Sequence, residues 1–472
     1  MEVPTRKRKE EIEMRTDPPE MWRVKEMTRR RLLQVTAGAG AGVLLSKLGL
    51  IGEAIAASEA GGSVTVFTSA GQRWELPERG VLPLFEKKFP NIKVNLRPIP
   101  HGEANPKIQV TMKAKSDAFD VVFAEYGQWP AMHALGALTD LTPYLENDPA
   151  WRDDYFSDVP EPVSSLYRVP ADPKGTCYGL TPDGNAEVCF YRADIFEKKG
   201  MKVPETWPEA IEAAKELHDP KNNQYGFITT MRRGLYAGWQ FWAVHASYGG
   251  TWFDKEEKGG WKPTFNNDAG HKALEVLKKL MEYAHPVTVN AIDDECNAAL
   301  GNGSAVYAPI EWGTGILNDK SFTKFSDVIK ADITPRGETS AGVHRPLMGG
   351  LGMFIPSYSK NKDAAFEWVK WCCSGDKTDP EIGRLWVENR GQPARVSLLS
   401  KYAGDRAFFT GLQKGFPKAV AFVSLIPEAF VVSELLGNET TEVLTGGKSI
   451  EAALKAMDDG VAKVMRDSGY YA

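Results

Sequence analysis

Three acidic residues, Glu125, Glu187 and Glu311, are the candidates for general acid and base chemistry in a chain with few other catalytic signatures. Two carboxylates hydrolyse a glycosidic bond only when they flank it, about 5 to 9 Å apart, and no spacing along this sequence predicts such a pair. Neither a Gly-x-Ser-x-Gly elbow nor a His-Glu-x-x-His pair occurs, and the seven histidines are scattered. Gly446-Gly447-Lys448-Ser449 ends like a phosphate-binding loop, but Glu442 stands where the first glycine is required and a helix precedes it. A helix-helix turn is expected there. Catalysis, a metal site and a cofactor are therefore not expected, with an exported glycosidase as the enzyme alternative.

Residues suited to binding are better represented. Gln72 and Arg73 follow the first predicted strand, Tyr126 and Gln128 follow another, and Asn185 precedes a third. Loops that follow strands are where α/β layers present groups to a ligand. Glu311 stands beside Trp312, and Gly349-Gly350 allows close backbone approach. Arg232-Arg233 could clamp a carboxylate or phosphate, which makes a sugar acid or glycerol phosphate the anionic alternative, although a solvated surface pair is the plainer reading. The chain also carries 13 Trp, and indole faces suit the apolar C–H faces of a carbohydrate.

The elements that must position these residues alternate strand with helix. Ser63–Ser69 is rich in β-branched residues, Leu82–Phe89 is helical, Ile92–Ile99 alternates as a strand, and 118–124 is a short buried strand. Further strands are predicted at 186–191 and 225–230, and helices at 207–218 and 238–248. In 271–284, Leu274, Leu277, Leu280, Met281 and Ala284 share one helical face, which marks core. From Ser424 onward the chain turns mostly helical. With 472 residues, two lobes are expected rather than one core.

Residues 1–56 read separately. Arg29-Arg30-Arg31 precedes a mildly apolar stretch, Val35–Ile51, and Ala54-Ile55-Ala56 suits cleavage after Ala56. The segment resembles a twin-arginine (Tat) export signal, and periplasmic localisation follows. An uncleaved anchor is the alternative, and Met27 is a second candidate start. Removing this segment takes 11 Lys/Arg from 57 and 8 Asp/Glu from 62, leaving 46 and 54 and a formal charge of −8. An acidic balance argues against nucleic acid as a partner. Cys177, Cys189, Cys296, Cys372 and Cys373 form no CxxC pattern and read as buried thiols, with a Cys177–Cys189 disulfide as the alternative.

Several runs in order carry a family resemblance: Phe119-Asp120-Val121-Val122-Phe123, Gly136-Ala137-Leu138-Thr139-Asp140-Leu141, Tyr178-Gly179-Leu180-Thr181-Pro182, Tyr191–Gly200 with Val203-Pro204-Glu205-Thr206-Trp207, Gly301–Ala305, Ile355–Ala365 and Gln392-Pro393-Ala394-Arg395. Together they resemble the extracellular solute-binding proteins of bacterial ABC importers that include maltose-binding protein and its sugar and polyol relatives. The resemblance implies an α/β fold of two lobes in the type II periplasmic-binding arrangement, with a hinge and an interlobe cleft. Crossing segments would lie near 185–189, 350–354 and 391–394, dividing the chain into 57–187 with 352–393 and 188–351 with 394–472. It implies a monomer that binds a sugar or sugar alcohol and docks on permease subunits in the membrane. Trp239 and Trp312 align with the family's sugar-stacking positions, while Trp242, one turn from Trp239, is expected to pack inward. Gly127, Gln128 and Asn185 replace the charged cleft residues of maltose-binding protein, which makes maltose itself doubtful.

Overall fold

Strand Gly62–Ser69, carrying Val64, Val66 and Phe67 at full burial, is the second strand of a five-stranded sheet. In the computed structural model, which describes residues 61–71, 74–254, 260–375, 377–421, 423 and 425–471, Ile92–Ile99 pairs parallel to it from Gly62↔Ile92 to Ser69↔Ile99. Val121–Glu125 pairs parallel on its other side, and Leu351–Phe354 runs antiparallel between that strand and Gly179–Leu180. Helices Glu75–Lys88 and Lys362–Cys372 pack on the parallel strands, as strands buried on both faces require. The proposed export segment 1–56 and the candidates Gln72 and Arg73 lie outside the described residues.

Buried Asp120 holds this lobe together across sequence. Its Oδ2 accepts from the Thr65 backbone N–H at 2.9 Å, and its Oδ1 accepts from Ser359 Oγ at 2.6 Å and Asn361 Nδ2 at 3.1 Å. Two motifs some 240 positions apart are thus one structural joint.

A second sheet is built on Asn185–Arg192. Tyr307–Trp312, Ile329–Asp332 and Leu347–Gly349 all pair antiparallel with it, and Val420–Ala421 adds parallel to Leu347–Gly349. Helix Trp207–Leu217 starts on a proline and on Glu209, whose carboxylate accepts from the Glu205 and Thr206 backbone N–H groups, a reciprocal cap of the orphan donors at a helix start. Helices Leu235–Ser247, Asp268–Met281, Ala429–Leu444 and Ile450–Asp467 pack together beside this sheet. Gly238 and Gly437 bring the first and third of these into contact: a Cβ on Gly238 would sit 2.1 Å from Ser433 O, and one on Gly437 would sit 1.7 Å from Gly234 O. The 446–449 turn joins the last two helices, with Lys448 paired to Glu439 and Ser449 capping Ala452 N–H.

Residues 225–230 do not form the regular strand expected. Tyr225 bridges Ala305 while Phe227 bridges Ala284, so the backbone partners are split between two segments and no ladder propagates. All five cysteines are buried and free, and the Cys177–Cys189 bond is not formed: Cys177 pairs in a two-stranded ribbon with Arg168, and Cys189 lies in the second sheet.

Three passages connect the sheets. The chain leaves the first sheet after Leu180 and enters the second at Asn185; it returns through Gly350 alone; and residues 391–394 run alongside, with Gly184 N–H donating to Gln392 O at 2.9 Å and Ala394 N–H to Pro182 O at 3.2 Å. Just beyond, buried Arg395 pairs with Asp154 at 2.9 Å and Asp158 at 3.3 Å and donates to Cys373 O, anchoring the third passage on the first lobe.

Glu78 is fully enclosed in the first lobe beside Thr68 and Trp368, and burial pushes its carboxyl up to about 8. A carboxyl raised in the folded state favours folding at low pH and loses that contribution as pH climbs from the ordinary glutamate value, near 4, through about 8. Wild-type protein should therefore lose stability between pH 5 and pH 9, and Glu78→Gln should recover on the order of 2 kcal/mol at pH 9 and little at pH 5. Denaturant melts at the two pH values check this; a pH dependence unchanged by the substitution contradicts it.

Candidate functional site

Two partly exposed indoles meet on the second lobe beside the passages. Trp239, in helix Leu235–Ser247, and Trp312, at the end of strand Tyr307–Trp312, lie with ring centroids 6.3 Å apart and planes at 87°. Tyr236, one turn before Trp239, stacks edge-on against it at 5.1 Å, and the Arg232 guanidinium sits 5.0 Å from the Tyr236 ring centroid. In such edge-to-face pairs the positive edge of one ring rests on the negative face of the other, which fixes the orientation of both. Trp242, by contrast, is buried against Trp252 and donates its Nε1–H to Ala421 O at 2.9 Å, so it packs inward.

Glu311 anchors Trp312 from beneath. Its Oε1 accepts from the Trp312 backbone N–H at 3.0 Å and its Oε2 from the Thr230 N–H at 2.9 Å. Burial, and then the Asp293 charge, push this carboxyl up to about 8. Glu187 pairs with Trp312 in the strand register and is equally enclosed; burial raises its carboxyl well above the usual range, with Glu311 adding to the effect. The site therefore has a carboxyl pair under its aromatic floor.

Around the passages, Tyr126 is fully buried: its N–H donates to Gly350 O at 3.3 Å and its phenol oxygen accepts from Val423 N–H at 3.0 Å. Gly350 sits at φ +117°, where a Cβ would lie 2.7 Å from Asp183 O. Asn185 opens the second-sheet strand opposite Gly349. Gln128 and Asn185 are both buried, and each holds a side-chain carbonyl oxygen with no hydrogen-bond donor. Tyr126, Asn185 and Gly350 are thus gathered at the passages, and Trp239, Glu311 and Trp312 beside them on the second lobe. Charge crosses between the lobes: the Tyr236 phenol is raised by burial, then by Asp293, and also by Glu125 from the first lobe.

The two arginines at 232–233 do not converge. Arg233 turns to helix Ala429–Leu444, pairing with Glu442 at 2.8 Å and donating to Asn438 Oδ1 at 3.0 Å. Sequence reasoning passed over Gln392 as a site residue, although it lies in one of the motif runs: its Nε2 donates to Gly313 O at 3.0 Å, tying the third passage to the loop after Trp312, and its Oε1 is buried without a donor. Tyr236 was signalled only by its one-turn spacing from Trp239. Among the described residues, no cluster of three or more His, Cys, Asp or Glu side chains could hold a metal ion.

The family model described as "Bacterial extracellular solute-binding protein" matches residues 72–374. The mannitol-binding protein of Pseudomonas aeruginosa is 27% identical over 316 residues, 63% of this chain and 71% of that protein. The maltotriose-binding protein of Pyrococcus abyssi is 23% identical over 326 residues, 66% of each chain. Among solved structures, a solute-binding protein from Agrobacterium radiobacter K84 in complex with ribitol superposes with a TM-score of 0.71 at 22% identity, covering 86% of this chain and 99% of that one. Maltose-bound MalE3 of T. maritima superposes with a TM-score of 0.72 at 21% identity, covering 85% and 99%. The fold of two lobes about three passages is the one these structures share, and with the family model spanning well over half its length, the chain belongs to the bacterial extracellular solute-binding proteins.

Proposed function

We propose that this protein is the solute-capturing component of an ABC import system, holding a sugar or sugar alcohol in the cleft between its lobes and passing it to permease subunits in the membrane. The observation that carries this reading is the perpendicular Trp239–Trp312 pair, partly exposed at the edge of the passages. Apolar walls with a few convergent polar groups suit a small neutral solute. Gln128, Asn185 and Gln392 hold enclosed carbonyl oxygens that lack donors, and hydroxyl groups of a polyol would satisfy those that parting of the lobes exposes. The relative named for mannitol and the neighbour crystallised with ribitol point the same way.

An anionic solute fits less well, because two carboxylates, Asp293 and Glu125, stand around Tyr236 against the one guanidinium of Arg232, and Arg233 is engaged elsewhere. Of the three carboxyls nominated for glycosidase chemistry, Glu187 and Glu311 are fully enclosed, which favours binding over hydrolysis. Export by the twin-arginine route, a periplasmic location and monomeric action accompany this reading. We place the lobe boundaries at the passages themselves. Relative to boundaries at 187/188 and 351/352, this moves Asn185–Glu187 into the second lobe and Leu351 into the first, so that whole strands stay together. Ligand touching both lobes would favour the closed form by its differential affinity.

A thermal-shift screen of the purified chain against monosaccharides, disaccharides, polyols, sugar acids and glycerol phosphate tests the assignment. Ligand at 100 times its Kd stabilises by about 2.7 kcal/mol, a visible shift. A response among neutral sugars or polyols is expected; response to anions alone moves the ligand class, and no response across the panel removes the carbohydrate reading.

A further inference from the structure

Trp239 and Trp312 meet at a corner. Their planes stand at 87° with centroids 6.3 Å apart, so the edge of one ring rests against the face of the other and the two do not form one flat platform. A solute that stacks two successive sugar rings needs such a platform, whereas a single ring or a short carbon chain needs one face. The cleft is also stopped where the first lobe meets the second. Helix Ala429–Leu444 crosses helix Leu235–Ser247 at Gly238, whose Cβ position lies 2.1 Å from Ser433 O, and one turn earlier on the same helix Phe430 reaches the first lobe. A Cβ on Gly127 would sit 3.0 Å from Phe430 Cζ and 3.0 Å from Val423 Cγ2, so a methyl group there would press on both. Beside this contact the Tyr126 phenol oxygen accepts from Val423 N–H at 3.0 Å. Trp242 Nε1–H donates to Ala421 O at 2.9 Å, which ties the start of that segment to the helix carrying Trp239. At the other end of the turn, the charge of Glu125 reaches the Tyr236 phenol, and Tyr236 rests on Trp239. Residues 125–128 thus run from the aromatic corner to the point where the lobes touch.

We propose that Gly127, closing on Val423 and Phe430, is a jaw that limits solute length, so that the site takes a single sugar ring or a short acyclic polyol and excludes disaccharides and oligosaccharides. This rests on the solute-binding reading and narrows it. A longer solute lying past the corner would have to part Gly127 from Phe430 and break the Tyr126–Val423 hydrogen bond, and both losses subtract from its affinity while a short solute incurs neither. Glycine at 127 is what lets the jaw shut, because a side chain there would hold the lobes apart and weaken closure about any solute. The chain beyond Trp312 leaves no second exit. Gly313 O accepts from Gln392 Nε2 at 3.0 Å, and a Cβ on Gly313 would lie 3.0 Å from Asn185 Oδ1, so the loop after the indole is packed on the passages.

Two measurements on the full chain separate the jaw from the ligand. Without ligand, Gly127→Cys combined with Val423→Cys should form a disulfide on mild oxidation, read by peptide mapping. The Cβ position at 127 lies 3.0 Å from Val423 Cγ2, which brings the two Cβ atoms within the ~3.5–4.5 Å that a disulfide spans. Neither single variant should crosslink, since the five native thiols are buried. Calorimetric titration then uses D-mannitol, ribitol, D-glucose, maltose and maltotriose as probes. The best of the three small probes is expected to bind at least about a hundredfold tighter than either oligosaccharide. In Phe430→Ala, which removes the ring facing Gly127, that ratio should fall about tenfold. Gly127→Ala should weaken the small probe about tenfold, and adding Phe430→Ala to it should recover most of the loss, as for side chains in contact. Maltose or maltotriose bound as tightly as the small probes overturns the proposal, as does a ratio unmoved by Phe430→Ala or a cysteine pair that stays reduced, and in each of these cases the solute-binding reading survives. If the cysteines pair while no carbohydrate binds, the contact between the lobes stands, the solute-binding assignment falls, and the size limit falls with it.

Discussion

Trp312→Ala is expected to weaken binding of the neutral solute at least tenfold while leaving the protein folded. The loss corresponds to about 1.4 kcal/mol or more, which is modest for removing an indole face from a bound sugar ring, since aromatic partners contribute about 0.5–1.5 kcal/mol beyond the area they bury. Folding should survive because the indole is partly exposed and what Glu311 grips is the Trp312 backbone N–H, which alanine retains. Truncation also frees the edge on which Trp239 rests, so Trp239→Ala should cost a similar factor and the double variant less than the sum, as expected for side chains in contact. Calorimetric titration of wild type and the three variants with the screened ligand gives the numbers. Unchanged affinity in Trp312→Ala, with an unchanged melting temperature, would remove this residue and its partner from the site.

Local chemistry carried much of the architecture in the sequence. The alternation in Ile92–Ile99 appears as a strand with those same bounds, and the Thr206-Trp207-Pro208-Glu209 run announces a capped helix start because its contacts are three residues apart. The motif runs that carried the resemblance turn out to be joints. Asp120 in one binds Ser359 and Asn361 in another, and Thr139 N–H donates to Ile355 O at 2.8 Å. Of the site, the indoles were legible only through resemblance, since nothing in the spacing of residues 239 and 312 says that their rings touch. Glu187 was legible as an acid but not as an enclosed one: its fate depends on the Leu347 strand pairing 160 positions away, and long-range pairing leaves no local signal. Gln392 was hidden for a similar reason, because its partner Gly313 is set by how the third passage runs beside the second lobe. The strand expected at 225–230 failed because its composition suits a ladder but its neighbours are divided between two segments.

Gly350→Ala should destabilise the protein more than any other single-methyl addition at the passages. Two independent costs act there. The backbone stands at φ +117°, a region that L-residues leave almost empty and that costs on the order of 1–3 kcal/mol to impose, and the new Cβ would lie 2.7 Å from Asp183 O, a backbone atom with little room to yield. Asp183 cannot withdraw cheaply, because its carboxylate accepts from Leu351 N–H at 3.2 Å, its residue bridges Pro393 of the third passage, and Thr181 Oγ1 lies 2.7 Å from Leu351 O. Gly350 O in turn accepts from Tyr126 N–H. Strain at this one residue therefore reaches all three passages and the candidate residues Tyr126 and Asn185. A loss of about 2–4 kcal/mol is expected, measured as a lower denaturant midpoint at unchanged slope. Gly404→Ala is the control: nothing lies within 4 Å of its Cβ position and its backbone is not in the positive-φ region, so a neutral or slightly stabilising effect is expected through the unfolded chain. If Gly350→Ala matches Gly404→Ala, the passages are not braided as described and motion about them does not depend on this glycine. If it is destabilised and its affinity for the screened solute also changes while Gly404→Ala binds as wild type, the return passage governs both the fold and the opening and closing of the cleft.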